Sequence, residues 1–312
     1  MDAEKQQRIK RITRSIIGLP TLPTVITQMI GLIDDPKTSA SEVSQLISTD
    51  QALTAKILKL ANSAFYGFSR EIATVNHAVV VLGFETVKSL GLSVSVLERF
   101  AAGGAQTSFD RQKFWEHSIA CGVAARLLAD RLRYRIQGEA FAAGILHDIG
   151  KLILSQYFTE EFEQILSLTR DEGLYIGRAE KLVLGVTHTQ IGLWLAEKWN
   201  LPDKLVTAIA YHHKPGLLKQ DAELASLIHL ADFLCRREKI GDGGGDKLPP
   251  LDPAALRTFG IYDDPKAALY RIFSHGEQMQ EEMDKADIFT RIARGESKGK
   301  QDDKEEGEDV AA

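Results

Sequence analysis

FAAGILHDIGKLIL, residues 141–154, decides how the rest of the chain is read. His147, Asp148 and Lys151 interrupt a run that is otherwise apolar or glycine. Imidazole, carboxylate and ammonium groups are costly to take out of water unless a partner satisfies them. At about 3.6 residues per turn, His147 aligns with Ala140, Gly144 and Leu154, and Asp148 with Phe141, Ile145 and Leu152. The spacing predicts one helix running through both residues, each side chain bordering the buried stripe. Lys151 falls one turn further along on the same side. Such a stretch is a working metal site, an inert one, or a satisfied His–Asp pair in a core.

Working outward, ligand-type side chains recur on predicted buried stripes. In FWEHSIACGVAARLLADRL, residues 114–132, His117 lines up with Cys121, Ala124 and Leu128. His188 opens a helix behind Thr187, whose capping partner is Gln190, and shares a face with Gly192 and Leu195. The stripe Leu205 and Ile209 runs into His212, with His213 beside it and Pro215 ending the helix. Asp232 shares a face with Ala225, Ile228 and His229.

The candidate ligands are therefore His117, His147, Asp148, His188, His212, His213 and Asp232. Mixed imidazole and carboxylate donors suit divalent Fe, Mn or Ni, with Zn also open, and two ions sharing one carboxylate need about this many. His229 reads as an outer hydrogen-bond partner. His77 reads as structural, His275 is left over outside the ligand set, and Cys121 and Cys235 read as small buried hydrophobes.

The frame around these segments is ordinary. The 312 residues are 44% hydrophobic and 26% charged, enough for one large domain or two smaller ones. A net charge of -5 argues against a general nucleic-acid footprint. Two cysteines and the absence of a signal-type apolar segment behind MDAEKQQRIKR predict a reducing, cytoplasmic setting. The most apolar stretch, residues 75–96, is broken by Asn76, His77, Gly83, Glu85 and Lys88, so no membrane span is expected.

The pattern is all-α. Val25, Met29, Ile30 and Ile33 form one stripe, Leu53, Ile57, Leu60 and Ala61 another, and Val75, Val79 and Leu82 a third. Ser39 and Glu42 form a capping box, and Gly83 closes a helix. Residues 1–100 form an N-terminal lobe and 101–294 a second block, with the break at 101–108 and a loop at 241–250. The charged stretch 295–312 reads as a disordered tail.

His117, then His147 and Asp148, then Asp232 resemble the H…HD…D pattern of the HD superfamily of metal-dependent phosphohydrolases. From Leu19 to about Phe233 the chain resembles an HDOD domain, an HD-related output domain of bacterial signalling proteins. LPTLP at 19–23, STDQALTAKILKLANSAFYG at 48–67, TVNHAVVVLG at 74–83, FWEHS at 114–118 and the opening stretch carry this likeness. The resemblance implies an all-α fold, an N-terminal lobe packed on an HD-like core, and usually a non-catalytic signalling role.

His188 and the His212–His213 pair resemble the extra ligands of HD-GYP phosphodiesterases, and Lys151 that family's phosphate-contacting lysine. The GYP signature is absent, and Lys113 stands where a three-metal site would have Glu. Two ions, with Asp148 spanning both, are therefore expected rather than three. Two readings stay open. One is a regulatory module with a signalling protein partner. The other is a phosphohydrolase acting on a nucleotide or cyclic nucleotide, with Lys151 offsetting phosphate charge.

Overall fold

The computed structural model describes residues 11, 12, 14, 18, 19, 21–101, 108–134, 136–245, 247–264, 267, 268 and 276–296. The break expected at 101–108, His275, and the tail beyond Glu296 fall wholly or largely outside them. Within them the chain is helical and has no strand.

The first part contains α1 (Thr24–Ile33), α2 (Ala40–Ser48), α3 (Gln51–Ala61), α4 (Val75–Leu82) and the long α5 (Phe84–Ala101). The capping box at α2 forms as its sequence requires: Ser39 Oγ accepts from the Glu42 amide, and Glu42 accepts from the Ser39 amide. Gly83, at φ 84°, turns α4 into α5 through 118°. No single described helix is long and apolar enough to cross a membrane.

The second part runs through α6 (Arg111–Arg131), α7 (Gln137–Leu146), α8 (Ile149–Tyr157), α9 (Thr159–Asp171), α10 (Ile176–Val183), α11 (His188–Lys198), α12 (Asp203–Tyr211) and α13 (Glu223–Arg237). Short α14 (Pro253–Arg257), α15 (Gly276–Lys285) and α16 (Asp287–Ala293) follow. One buried apolar cluster extends from Ile12 to Ala293, so both parts contribute to the same core. Phe65 behind α3, Phe141 on α7 and Phe289 on α16 meet with ring centroids 4.6–5.4 Å apart. That aromatic contact ties the chain's early, middle and late segments together.

The decisive stretch departs from its predicted form. One helix does not run through His147 and Asp148; α7 stops at Leu146 and α8 starts at Ile149. Asp148 sits at φ -100°, ψ 13°, between the helical and extended regions. It occupies the N-cap position of α8 yet makes no capping hydrogen bond. A capping Asp ordinarily contributes about 1 kcal/mol to its helix. Here the carboxylate is turned inward instead.

The same economy holds elsewhere. His188 is the first residue of α11, behind the expected Thr187–Gln190 capping box. His212 and His213 lie just past α12, which ends at Tyr211, before Pro215 opens a short 3-10 turn. Only His117 and Asp232 come from helix interiors. Gly150 lets the start of α8 lie directly on α11, because a Cβ there would fall 2.0 Å from the His188 carbonyl oxygen.

Candidate metal centre

The seven predicted residues converge. Six are fully buried, and His213 keeps 13% of its side-chain surface. With Cys121 added they divide into two donor groups of four, each with ligand atoms within 4.8 Å of one another: His117, Cys121, His147 and Asp232, and Asp148, His188, His212 and His213. Cys121 was expected to be a packing residue, yet its sulfur lies among the donors because it sits one turn from His117 on the same face of α6.

Each core histidine is oriented from outside. His147 donates from Nδ1 to the Gly144 carbonyl at 2.7 Å, and His212 from Nδ1 to that of Ile209 at 3.0 Å. His188 Nδ1 meets both oxygens of buried Glu180 at 2.8 Å, and His117 Nδ1 faces the Ile240 carbonyl at 3.3 Å. With Nδ1 held outward, Nε2 points inward in all four, the arrangement expected of metal-bound imidazoles.

The inward atoms are left short of partners. His147 Nε2, His212 Nε2, Asp148 Oδ1, Asp232 Oδ2 and His213 Nδ1 are buried without a hydrogen bond. His147 Nε2 stands 3.2 Å from Asp148 Oδ2, and His188 Nε2 and His212 Nε2 stand 3.1 and 3.6 Å from Asp148 Oδ1. His188 and His213 bring two ring nitrogens within 3.1 Å. Several buried polar atoms left unsatisfied in one place are expensive. Lone pairs converging on carboxylates in this way fit divalent cations.

The electrostatics agree for the two aspartates and for His212 and His213, whereas Glu180 beside His188 raises that imidazole against its burial. Burial opposes ionisation of Asp148, but His147, Lys151 and His188 hold its pKa well below the usual carboxylate range. Burial likewise opposes Asp232, and Arg236, His117 and His147 outweigh it. Burial pushes His212 down to about 4 and, with His212 and His188 nearby, holds His213 well below its ordinary value. Ionised carboxylates and neutral imidazoles are the ligand-competent forms. Burial also presses on His117, but Cys121 and Asp232 raise it to about 9, so a metal held there would have to displace the proton shared with Asp232 at 3.0 Å.

Further side chains close around the donors. Lys151 is not a solvated helix residue: it is fully buried, and its Nζ donates to Asp148 Oδ2 and, at 2.7 Å, to the Gly243 carbonyl. Arg236 donates from Nε to Asp232 Oδ1 at 2.6 Å and from Nη2 to the Gly243 carbonyl at 3.0 Å. Its Nη2 also reaches Asp148 Oδ2 at 3.5 Å. The only forewarning was the four-residue spacing from Asp232. Glu180 had no local signal at all. The glycine-rich loop at 241–245 lies over the centre, and a Cβ on Gly241 would fall 2.3 Å from the His117 amide nitrogen.

His229 is an outer partner as expected, donating to the His212 carbonyl at 2.7 Å and accepting from the Asp252 amide at 2.8 Å. Tyr175 packs edge-on against His213, with its buried hydroxyl unpartnered. Lys113 is exposed on α6, and its carbonyl accepts from the Asp242 amide.

A helical core that gathers His, His-Asp and Asp in chain order defines a protein of the HD class. The HDOD domain family matches residues 19–215, and the chain belongs to that family. Asp232, Arg236 and the covering loop lie past the matched stretch. An HDOD domain protein of unknown function from Geobacter sulfurreducens is similar, at 26% identity and TM-score 0.68 over 93% of this chain and 98% of that one. A provisionally assigned phosphohydrolase from Shewanella amazonensis is similar at 26% identity and TM-score 0.65, over 88% and 97%. An uncharacterised Treponema pallidum protein is 26% identical over 72% of this chain and 44% of its own length. The chain spans less than half the length of the curated relatives it matches.

Proposed function

We propose that the chain is a signalling output module of the HDOD type whose core holds two divalent transition-metal ions. The seven residues His117, His147, Asp148, His188, His212, His213 and Asp232 supply the donors, and a signalling protein is the partner of the outer surface. The observation that carries this reading is the set of buried, unpartnered donor atoms facing one another. Ions satisfy them and link α6, the α7–α8 joint, α11, α12 and α13.

A second reading, phosphohydrolase, is favoured by Lys151 and Arg236 standing beside Asp148. Bound ions would supply Lewis acidity and acidify a water molecule. Lys151 and Arg236 would then offset charge on a phosphate or nucleotide. Both cations are already engaged by the carboxylates and the Gly243 carbonyl, under a loop that covers them. That closure favours the module.

The deciding experiment assays metal-loaded protein against cyclic dinucleotides, cyclic mononucleotides and nucleoside phosphates. The module reading expects no turnover. Turnover that disappears in Asp148→Ala would establish the enzyme instead.

A further inference from the structure

We propose that Cys121 is a thiolate ligand, which makes the two metal positions chemically unlike: one takes a thiophilic ion of the Zn(II) class, the other an ion suited to nitrogen and oxygen alone. This rests on the two-metal reading above.

Cys121 Sγ lies 3.5 Å from His117 Nε2, and neither atom reaches solvent. An ion about 2.3 Å from sulfur and about 2.0 Å from an imidazole nitrogen, at a tetrahedral angle, holds those two atoms about 3.5 Å apart. His147 Nε2 and an Asp232 carboxylate oxygen complete a set of four. Each of these two residues keeps an inward atom that no hydrogen bond satisfies. The other group has three imidazoles and one carboxylate, without sulfur.

Cys235, three residues past Asp232 on α13, is the other buried thiol near Cys121, so the two must be told apart. Thiolate is a soft donor, so the set with Cys121 selects Zn-like ions, while the other set suits Fe, Mn or Ni. On binding, the Cys121 S–H bond breaks, the sulfur pair forms the metal bond, and the proton leaves to buffer.

The test is optical titration of chelator-stripped protein with Co(II) under argon. The wild type should show a near-ultraviolet thiolate-to-cobalt charge-transfer band together with visible ligand-field bands. The band should be lost in Cys121→Ala and in the size-matched Cys121→Ser, and kept in Cys235→Ala. Where a Cys121 variant fails to fold, a band kept in Cys235→Ala still belongs to Cys121, the chain's other cysteine. Ligand-field bands without charge transfer would overturn the thiolate while leaving the metal centre standing. A charge-transfer band that survives in Cys121→Ala would overturn it too. No Co(II) uptake by the wild type would overturn both.

Discussion

His188 shows what a single residue needs here. Its Nε2 can face Asp148 only because Glu180 holds Nδ1 and the His188 amide from behind. Glu180→Gln keeps the shape but removes the charge, and should weaken metal binding about 10–100-fold, the usual range for an outer partner. Competition titration with a metal-sensitive dye reads this directly, and unchanged affinity would mean that Glu180 merely fills space. Lys151 makes the opposite case. In the metal-free protein it is a buried cation on Asp148, and breaking such a pair costs on the order of 3 kcal/mol. Lys151→Met should therefore lower the urea midpoint of stripped protein clearly, and that of metal-loaded protein much less, because the ions supply the missing positive charge. Equal losses in both states would show that no cation reaches Asp148.

Helices and their ends set how much was legible in the sequence. Stripe positions revealed that the seven donors face inward, because burial follows helical period. They could not reveal that α7 and α8 part at His147 and Asp148, since the apolar pattern continues smoothly across the break. Cys121 is buried as expected, but its place among the donors was not legible, because a thiol that packs and one that could ligate occupy the same stripe. Lys151 and Arg236 stand three and four residues from Asp148 and Asp232, a spacing the sequence shows; the Gly243 carbonyl that closes over Lys151 comes from 92 residues away, which no local pattern encodes.

Two predictions belong at this scale. Gly150→Ala sets a methyl against the His188 carbonyl, which backbone cannot yield cheaply. It should cost about 1–3 kcal/mol and reduce metal uptake by moving α11 from α8, measured by thermal melting and metal content together. Lys88, buried on α5, reaches Asp34 at the end of α1 and Glu85. Burial pushes its pKa down, but hydrogen bonds to Glu85 and Asp34 outweigh this and raise it. Its contribution is therefore complete below the ordinary lysine pKa and is lost as pH climbs above about 10.5. Both partners are half exposed, so the gain over Lys88→Met should be about 1 kcal/mol at most. Urea midpoints of the two proteins should converge at high pH; a gap that stays constant would contradict the ion-pair account.

For the whole molecule, the shared core makes the N-terminal lobe and the metal-bearing block mechanically dependent. Val87, Leu90, Leu92, Val94, Val96 and Leu97 on α5 belong to the same buried cluster as α6 and α7. All three tryptophans, 115, 194 and 199, lie in the second block, whereas far-ultraviolet circular dichroism reports helices everywhere. The two signals should lose structure in one coincident transition. Separate transitions would show that residues 1–100 fold apart from the centre. The account stands chiefly on the ions themselves. Its most direct test is anomalous X-ray scattering from crystals of protein purified without chelator. It predicts two ions per chain, one among His117, Cys121, His147 and Asp232, the other among Asp148, His188, His212 and His213. Ordered donors with no anomalous peak between them, in protein whose metal analysis is also empty, would contradict it.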